Sequence, residues 1–149
     1  MDHPVSGCKF VMEDGASHAV DSSELAFKIA AKGAFRAAVE SAGPVVLEPV
    51  MTVQVTAPEE YQGVCVSLIN KRKGIIGGSE ANQGYVIIDC ITPLANMFGF
   101  STELRSSTQG KGEYTMEYKE HVPVMPSTQV ELIDQFKKEK AAKQKASGN

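Results

Sequence analysis

Apolar and polar side chains alternate along the opening stretch GCKFVME, residues 7–13, with Cys8, Phe10 and Met12 on one face. That pattern predicts a half-buried strand, and Asp14-Gly15 then turns the chain. The period changes after Asp21. From 22 to 42 the polar residues Glu24, Lys28, Lys32, Arg36 and Glu40 recur four apart, and nearly everything between them is apolar or small. So narrow a polar stripe predicts a helix that is mostly buried, against more sheet than one strand supplies. Asp21 followed by Glu24 predicts a capping box with Asp21 as the cap. The missing sheet, and a strand that starts almost at Met1, lead to the expectation of a truncated chain.

Gly43-Pro44 ends the helix. Val50 or Met51, Val53 and Val55 mark the next strand, which stops at Pro58. Pro58 suits a first helical turn, with Glu59 and Glu60 at its positive dipole end. Tyr61, Val64, Cys65, Leu68 and Ile69 follow at helical spacing, and Gly74 closes that helix behind Lys71, Arg72 and Lys73. IIGGSEANQGYVIIDCITP reads as two strands around a polar turn. PLANMFGFSTELRSST reads as a helix opening at Pro93 and interrupted at Gly99, and GEYTMEYKE alternates again. Residues 49–120 therefore read β-α-β-β-α-β, the split arrangement of ferredoxin-like folds. Ser127 or Thr128 is expected to cap a last helix whose apolar residues stop at Phe136, so that its lysine-rich end frays. The expected fold class is α+β: a ferredoxin-like domain over 48–122, a partial β-α-β domain over 1–47 and a C-terminal helix over 123–149.

Composition narrows the function classes. The chain has 149 residues, 42% of them hydrophobic, enough for one or two small domains. A net charge of −3 does not announce a nucleic-acid binder, but basic residues cluster at Lys71, Arg72 and Lys73 and lysines again over 137–145, and a local basic patch can hold phosphate. Cys8, Cys65 and Cys90 are odd in number and set among apolar residues, which predicts reduced core thiols. No C-x-x-C or H-x-x-x-H spacing suggests a metal, no run reaches membrane-spanning length, and no membrane partner is expected. GKGEY at 110–114 lacks the spacing of a phosphate-wrapping loop, and no G-x-S-x-G elbow is present. No enzyme constellation emerges.

Three stretches remain as candidates. His18, in DGASHAVDSSE, is either an exposed loop histidine without a role or a polar probe that bonds or stacks on RNA. In STELRSSTQGKGEY, Arg105, Ser106 and Lys111 flank hydroxyls and glycines suited to phosphate or ribose; solvated charges at a helix end explain them equally. Lys71 and Arg72 in NKRKG could touch RNA, although the helix dipole alone accounts for them.

The stretches DGASHAVDSSELAFKIAA, LEPVMTVQVTAPEEYQG and PLANMFGFSTELRSSTQGKGEYTMEY resemble the C-terminal end of translation elongation factor G over about residues 6–126. The last of them, followed by PSTQ, is most similar to the mitochondrial form. The resemblance implies the end of a fourth domain in residues 6–47 and a ferredoxin-like fifth domain from 48 to about 122. It implies a ribosomal partner: the fourth domain enters the decoding site and displaces tRNA, and the fifth docks on large-subunit rRNA near the stalk base. Ser17, His18, Asp21 and Ser22 match the tip loop of the fourth domain, which turns the reading of His18 toward function, with Asp21 and Ser22 holding the loop rigid. GTP and Mg belong to the first domain of the family, so no cofactor is expected in this chain. The matrix of the mitochondrion is the implied location, and a monomer is expected. Two rivals stand: part of a paralogous ribosome-recycling GTPase, and a free-standing ferredoxin-like binding module. With strand 7–13 lacking neighbours, the N-terminal third is expected to expose apolar surface and to be the less stable part.

Overall fold

The computed structural model describes residues 3–146. In chain order its elements are α1 (Glu24–Ser41), β1 (Leu47–Pro58), α2 (Gln62–Lys71), β2 (Ile75–Asn82), β3 (Tyr85–Pro93), α3 (Phe100–Ser107), β4 (Glu113–Pro123) and α4 (Pro126–Ala146), with short 3₁₀ turns at Glu59–Tyr61 and Leu94–Asn96. They fall into two units. One is Leu47–Val124, and the other draws on Met1–Val46 and Met125–Asn149.

In the unit Leu47–Val124 the strands form one antiparallel sheet in the order β2-β3-β1-β4. This is the ferredoxin-like arrangement. Strand β1 is central, with Val53 opposite Cys90 on one side and Met116 on the other. Alternation sorts the faces. Val53, Val55 and Ala57 of β1 and Val86, Ile88 and Cys90 of β3 are buried, whereas Thr52 and Gln54 between them are exposed. The buried face is covered by Cys65, Leu68 and Ile69 of α2 and by Phe100 and Leu104 of α3. The Phe100 ring meets Tyr114 edge-on at 5.1 Å, a favoured aromatic geometry. Burial pushes the Cys65 and Cys90 thiols above the ordinary range, as suits inert core cysteines.

Several boundaries differ from those read off the sequence. Pro58 ends β1 instead of opening α2, and a 3₁₀ turn intervenes. The run from Pro93 is interrupted at Gly99 as expected, but its first part is a 3₁₀ turn, Leu94–Asn96, and not a helix opening at Pro93. Gly99 at φ 75° takes a left-handed conformation that breaks it and caps α3. α4 starts at Pro126, not behind Ser127 or Thr128, as befits a residue with no N–H to leave unsatisfied. That helix runs to Ala146, so the lysine-rich stretch after Phe136, expected to fray, is helical as far as the described residues go.

The other unit departs further. Residues 7–13 form no strand, because no second strand lies alongside them among the described residues; Phe10 instead sets its ring 5.9 Å from Phe35. Cys8 is accordingly exposed, not a core thiol. No residue of α1 is buried, and Leu25, Phe27 and Ile29 are all exposed. The expectation of a mostly buried helix is corrected, and that of exposed apolar surface holds. In the same unit Gln129 of α4 ties down the chain after α1: its Oε1 accepts from the Val46 N–H at 3.0 Å and its Nε2 donates to the Pro44 carbonyl at 3.2 Å.

Candidate nucleic-acid interface

The loop before α1 is built from short polar bonds. The Asp14 carboxylate accepts from the Gly15 N–H at 2.7 Å, and the Ser22 hydroxyl accepts from the His18 N–H at 2.8 Å. Ser23 is the helix cap, its Oγ accepting from the Ala26 N–H at 3.1 Å. Asp21 is therefore not the cap, and Glu24 does not close a capping box; it pairs with Lys28 one turn on. A serine directly before the helix outcompetes a more distant carboxylate for the same orphan N–H groups. Ser17, His18, Asp21 and Ser22 share this exposed loop, and the Ser22 bond fixes the backbone from which the imidazole projects.

At the end of α2 the basic triplet splits. Lys71 and Lys73 are exposed, while the Arg72 side chain is only 16% exposed. Its Nη1 donates to the carbonyls of Asn96 at 2.6 Å and Phe98 at 2.8 Å, and its Nη2 pairs with Glu103 Oε2. The guanidinium lies 5.5 Å from the Phe100 ring centroid, and Asn96 Nδ2 donates back to the Arg72 carbonyl at 3.0 Å. Arg72 is thus a clasp between the end of α2 and the turn that leads into α3, not a group held out to RNA. Lys71 shares Glu103, through its other oxygen. Lys71, Arg72, Lys73, Asn96 and Glu103 line a shallow recess of about 280 Å³.

The hydrogen bonds from Lys71 and then Arg72 hold the Glu103 carboxyl below its usual value. A depressed carboxylate stabilises the fold fully above the unfolded value, about 4.3, and this contribution is lost as pH falls through the lower folded value. The unit is therefore expected to lose stability to urea below about pH 4.3 more steeply than a Glu103→Gln variant. Parallel acid limbs for the two proteins would contradict this.

The turn between α3 and β4 is a second built feature. Thr108 is fully buried; its Oγ1 donates to the Leu104 carbonyl at 2.7 Å and accepts from the Gly112 N–H at 2.8 Å. Gln109 at φ 54° and Gly110 at φ 79° complete the reversal, closed by the Gly110 N–H on the Arg105 carbonyl at 2.7 Å. Arg105 and Ser106 are exposed at its start, and the Ser106 hydroxyl donates to the Glu103 carbonyl at 3.0 Å. Lys111 leans away toward Glu60, at 3.5 Å, and lies 5.9 Å from the Tyr61 ring centroid. A Cβ on Gly112 would meet Thr108 Oγ1 at 2.7 Å and Leu104 Cγ at 3.0 Å. Gly112→Ala is expected to cost about 2 kcal/mol by overpacking, read from the urea midpoint; a shift within 0.5 kcal/mol would mean that the turn yields.

Sequence reasoning found the cations and missed what holds them. Glu103 sits in the first turn of α3, where the helix dipole favours a carboxylate, and that signal could have marked it. Asn96 and Thr108 carry no local signal, since their partners are backbone groups set by the turns. Among the described residues no group of three or more His, Cys, Asp or Glu could hold a metal ion, and no helix is long and apolar enough to cross a membrane.

Comparison with known proteins places this geometry. A family model described as elongation factor G C-terminus matches residues 45–132, and one for elongation factor G, domain IV, matches residues 1–43. The chain is 55% identical over 139 residues to elongation factor G-1, mitochondrial, of Arabidopsis thaliana, covering 93% of this chain and 18% of that protein. It is 52% identical over 134 residues to elongation factor G, mitochondrial, of Culex quinquefasciatus, covering 90% of this chain and 18% of that protein. A solved structure from Thermus thermophilus superposes with a TM-score of 0.71 at 35% identity, over 82% of this chain and 18% of that one. The chain thus spans less than a fifth of the length of these relatives, and the curated ones are mitochondrial. With two models of one family matching in succession, and the more C-terminal match spanning the split β-α-β sheet, the chain belongs to the elongation factor G family.

Proposed function

We propose that this chain is the C-terminal part of a translational GTPase that promotes translocation of tRNA and mRNA on the ribosome in the mitochondrial matrix. The single observation that carries the reading is the succession of a domain IV match and a C-terminal match along one chain. Domain boundaries near residues 47 and 122 go with it. In this reading the loop with Ser17, His18, Asp21 and Ser22 enters the decoding site beside tRNA. Its exposure and the Ser22 bond support a rigid probe, which loses little entropy on entry. Arg105, Ser106 and Lys111, with Lys71, face large-subunit rRNA near the stalk base, and their exposure suits phosphate contact. Arg72 acts through the clasp it forms. GTP and Mg are held by another part of the parent protein, and this chain transmits the resulting rearrangement by making different contacts in two states.

The test is translocation by the parent factor carrying His18→Ala, followed by toeprinting on mitochondrial ribosomes with GTP hydrolysis measured alongside. Loss of one hydrogen bond worth about 1.4 kcal/mol is expected to slow translocation about tenfold, with hydrolysis unchanged. An unaltered translocation rate would remove the loop from the mechanism. A factor that splits ribosomes instead of translocating them would reassign the parent to recycling.

A further inference from the structure

Phe98 is 78% exposed, more than any other aromatic residue among the described residues. Its backbone is unusually well held. The Phe98 carbonyl accepts from Arg72 Nη1, Met97 before it is buried, and Gly99 after it is locked at φ 75°. Lys71 and Lys73 line the recess that also contains Arg72 and Asn96; Lys71 and Arg72 both pair with Glu103, Arg72 also holds the Phe98 carbonyl, and Lys73 is exposed.

We infer that Phe98 is a stacking platform for a single unpaired nucleobase of ribosomal RNA, with Lys71 and Lys73 on the adjoining phosphates. The inference rests on the ribosomal reading above and adds a contact to it. An exposed aromatic ring beside cations suits a splayed base, because every base has a π-face and each carries a phosphate with it. The clasp keeps the ring presented, so little ordering remains when a base arrives.

The experiment is co-sedimentation of the whole 149-residue chain with purified mitochondrial large ribosomal subunits, and with rRNA stripped of its proteins. The variants are Phe98→Ala, Phe98→Leu, Phe98→Trp and the pair Arg105→Ala with Lys111→Ala. Circular dichroism checks each fold, which an exposed position should not disturb. Phe98→Ala and Phe98→Leu are expected to bind about tenfold more weakly on both targets, and Phe98→Trp to bind at least as well as the parent. Leucine binding like phenylalanine would overturn stacking in favour of an apolar pocket. A loss seen on subunits and absent on bare rRNA would move the contact to a ribosomal protein and also overturn it. Unchanged binding by Phe98→Ala, with a loss in the Arg105/Lys111 pair, would sink this inference and leave the ribosomal reading standing. No binding by the parent chain would remove both.

Discussion

Phe100→Ala is expected to destabilise the unit Leu47–Val124 by about 4 kcal/mol, the range for a large buried aromatic truncated to alanine. Phe100 is 1% exposed and sits where α3 crosses the sheet. Truncation empties space between Tyr114 and Arg72, both of which touch the ring. The neighbours cannot collapse into it, since Leu104 and Thr108 are fixed by their own packing and hydrogen bonds. Domains of this size carry about 5–15 kcal/mol in all, so the variant should melt roughly 20 °C lower. The chain has no tryptophan, so tyrosine fluorescence and circular dichroism in urea are the readouts. A loss below about 1 kcal/mol would mean that the core relaxes around the gap.

Arg72→Ala is expected to cost about 3 kcal/mol, chiefly by releasing the carbonyls of Asn96 and Phe98. The Glu103 pair contributes less than a buried ion pair, because that carboxylate is 26% exposed and partly screened. Arg72→Lys should recover less than half of the loss. An ammonium carries the charge but cannot span two carbonyls and a carboxylate at once. Because the guanidinium also lies against Phe100, the two alanine variants together should fall short of the sum by about 0.5–1 kcal/mol. Strict additivity in a double-mutant cycle would contradict the contact, and a lysine variant as stable as the parent would contradict the clasp.

What was legible in the sequence had a periodic cause. Val53, Val55 and Ala57 alternate with Thr52, Gln54 and Thr56 because one face of the sheet meets helices and the other does not, and that asymmetry is written residue by residue. The same alternation in residues 7–13 predicted a strand that is absent, because alternation describes a surface while a strand also needs a neighbour to bond. Asp21 and Ser23 are both good caps, and only the observed helix start at Glu24 decides between them. The role of Arg72 was hidden for a different reason. A Lys-Arg-Lys triplet at a helix end looks solvated, and the partners that draw the middle residue inward lie 24 to 31 positions away. His18 and the exposed cations Lys71, Arg105 and Lys111 were singled out by residue type, their ribosomal roles were read through family likeness to longer proteins, and no periodicity marks them.

The strand order β2-β3-β1-β4 has a consequence in time. Only the β2–β3 pairing is local, closed by the tight turn at Gln83-Gly84. Strand β1 is made first, yet both of its partners come later, and β4 ends at Pro123, 65 residues after Pro58. At about 5–20 residues per second, synthesis leaves β1 waiting roughly 3–13 s before its second edge can close. During that interval a Val-rich strand stands with at least one open hydrogen-bonding edge, the condition that favours misassociation with other nascent chains. The central strand that organises the finished sheet is therefore the segment most in need of a chaperone while the chain is being made.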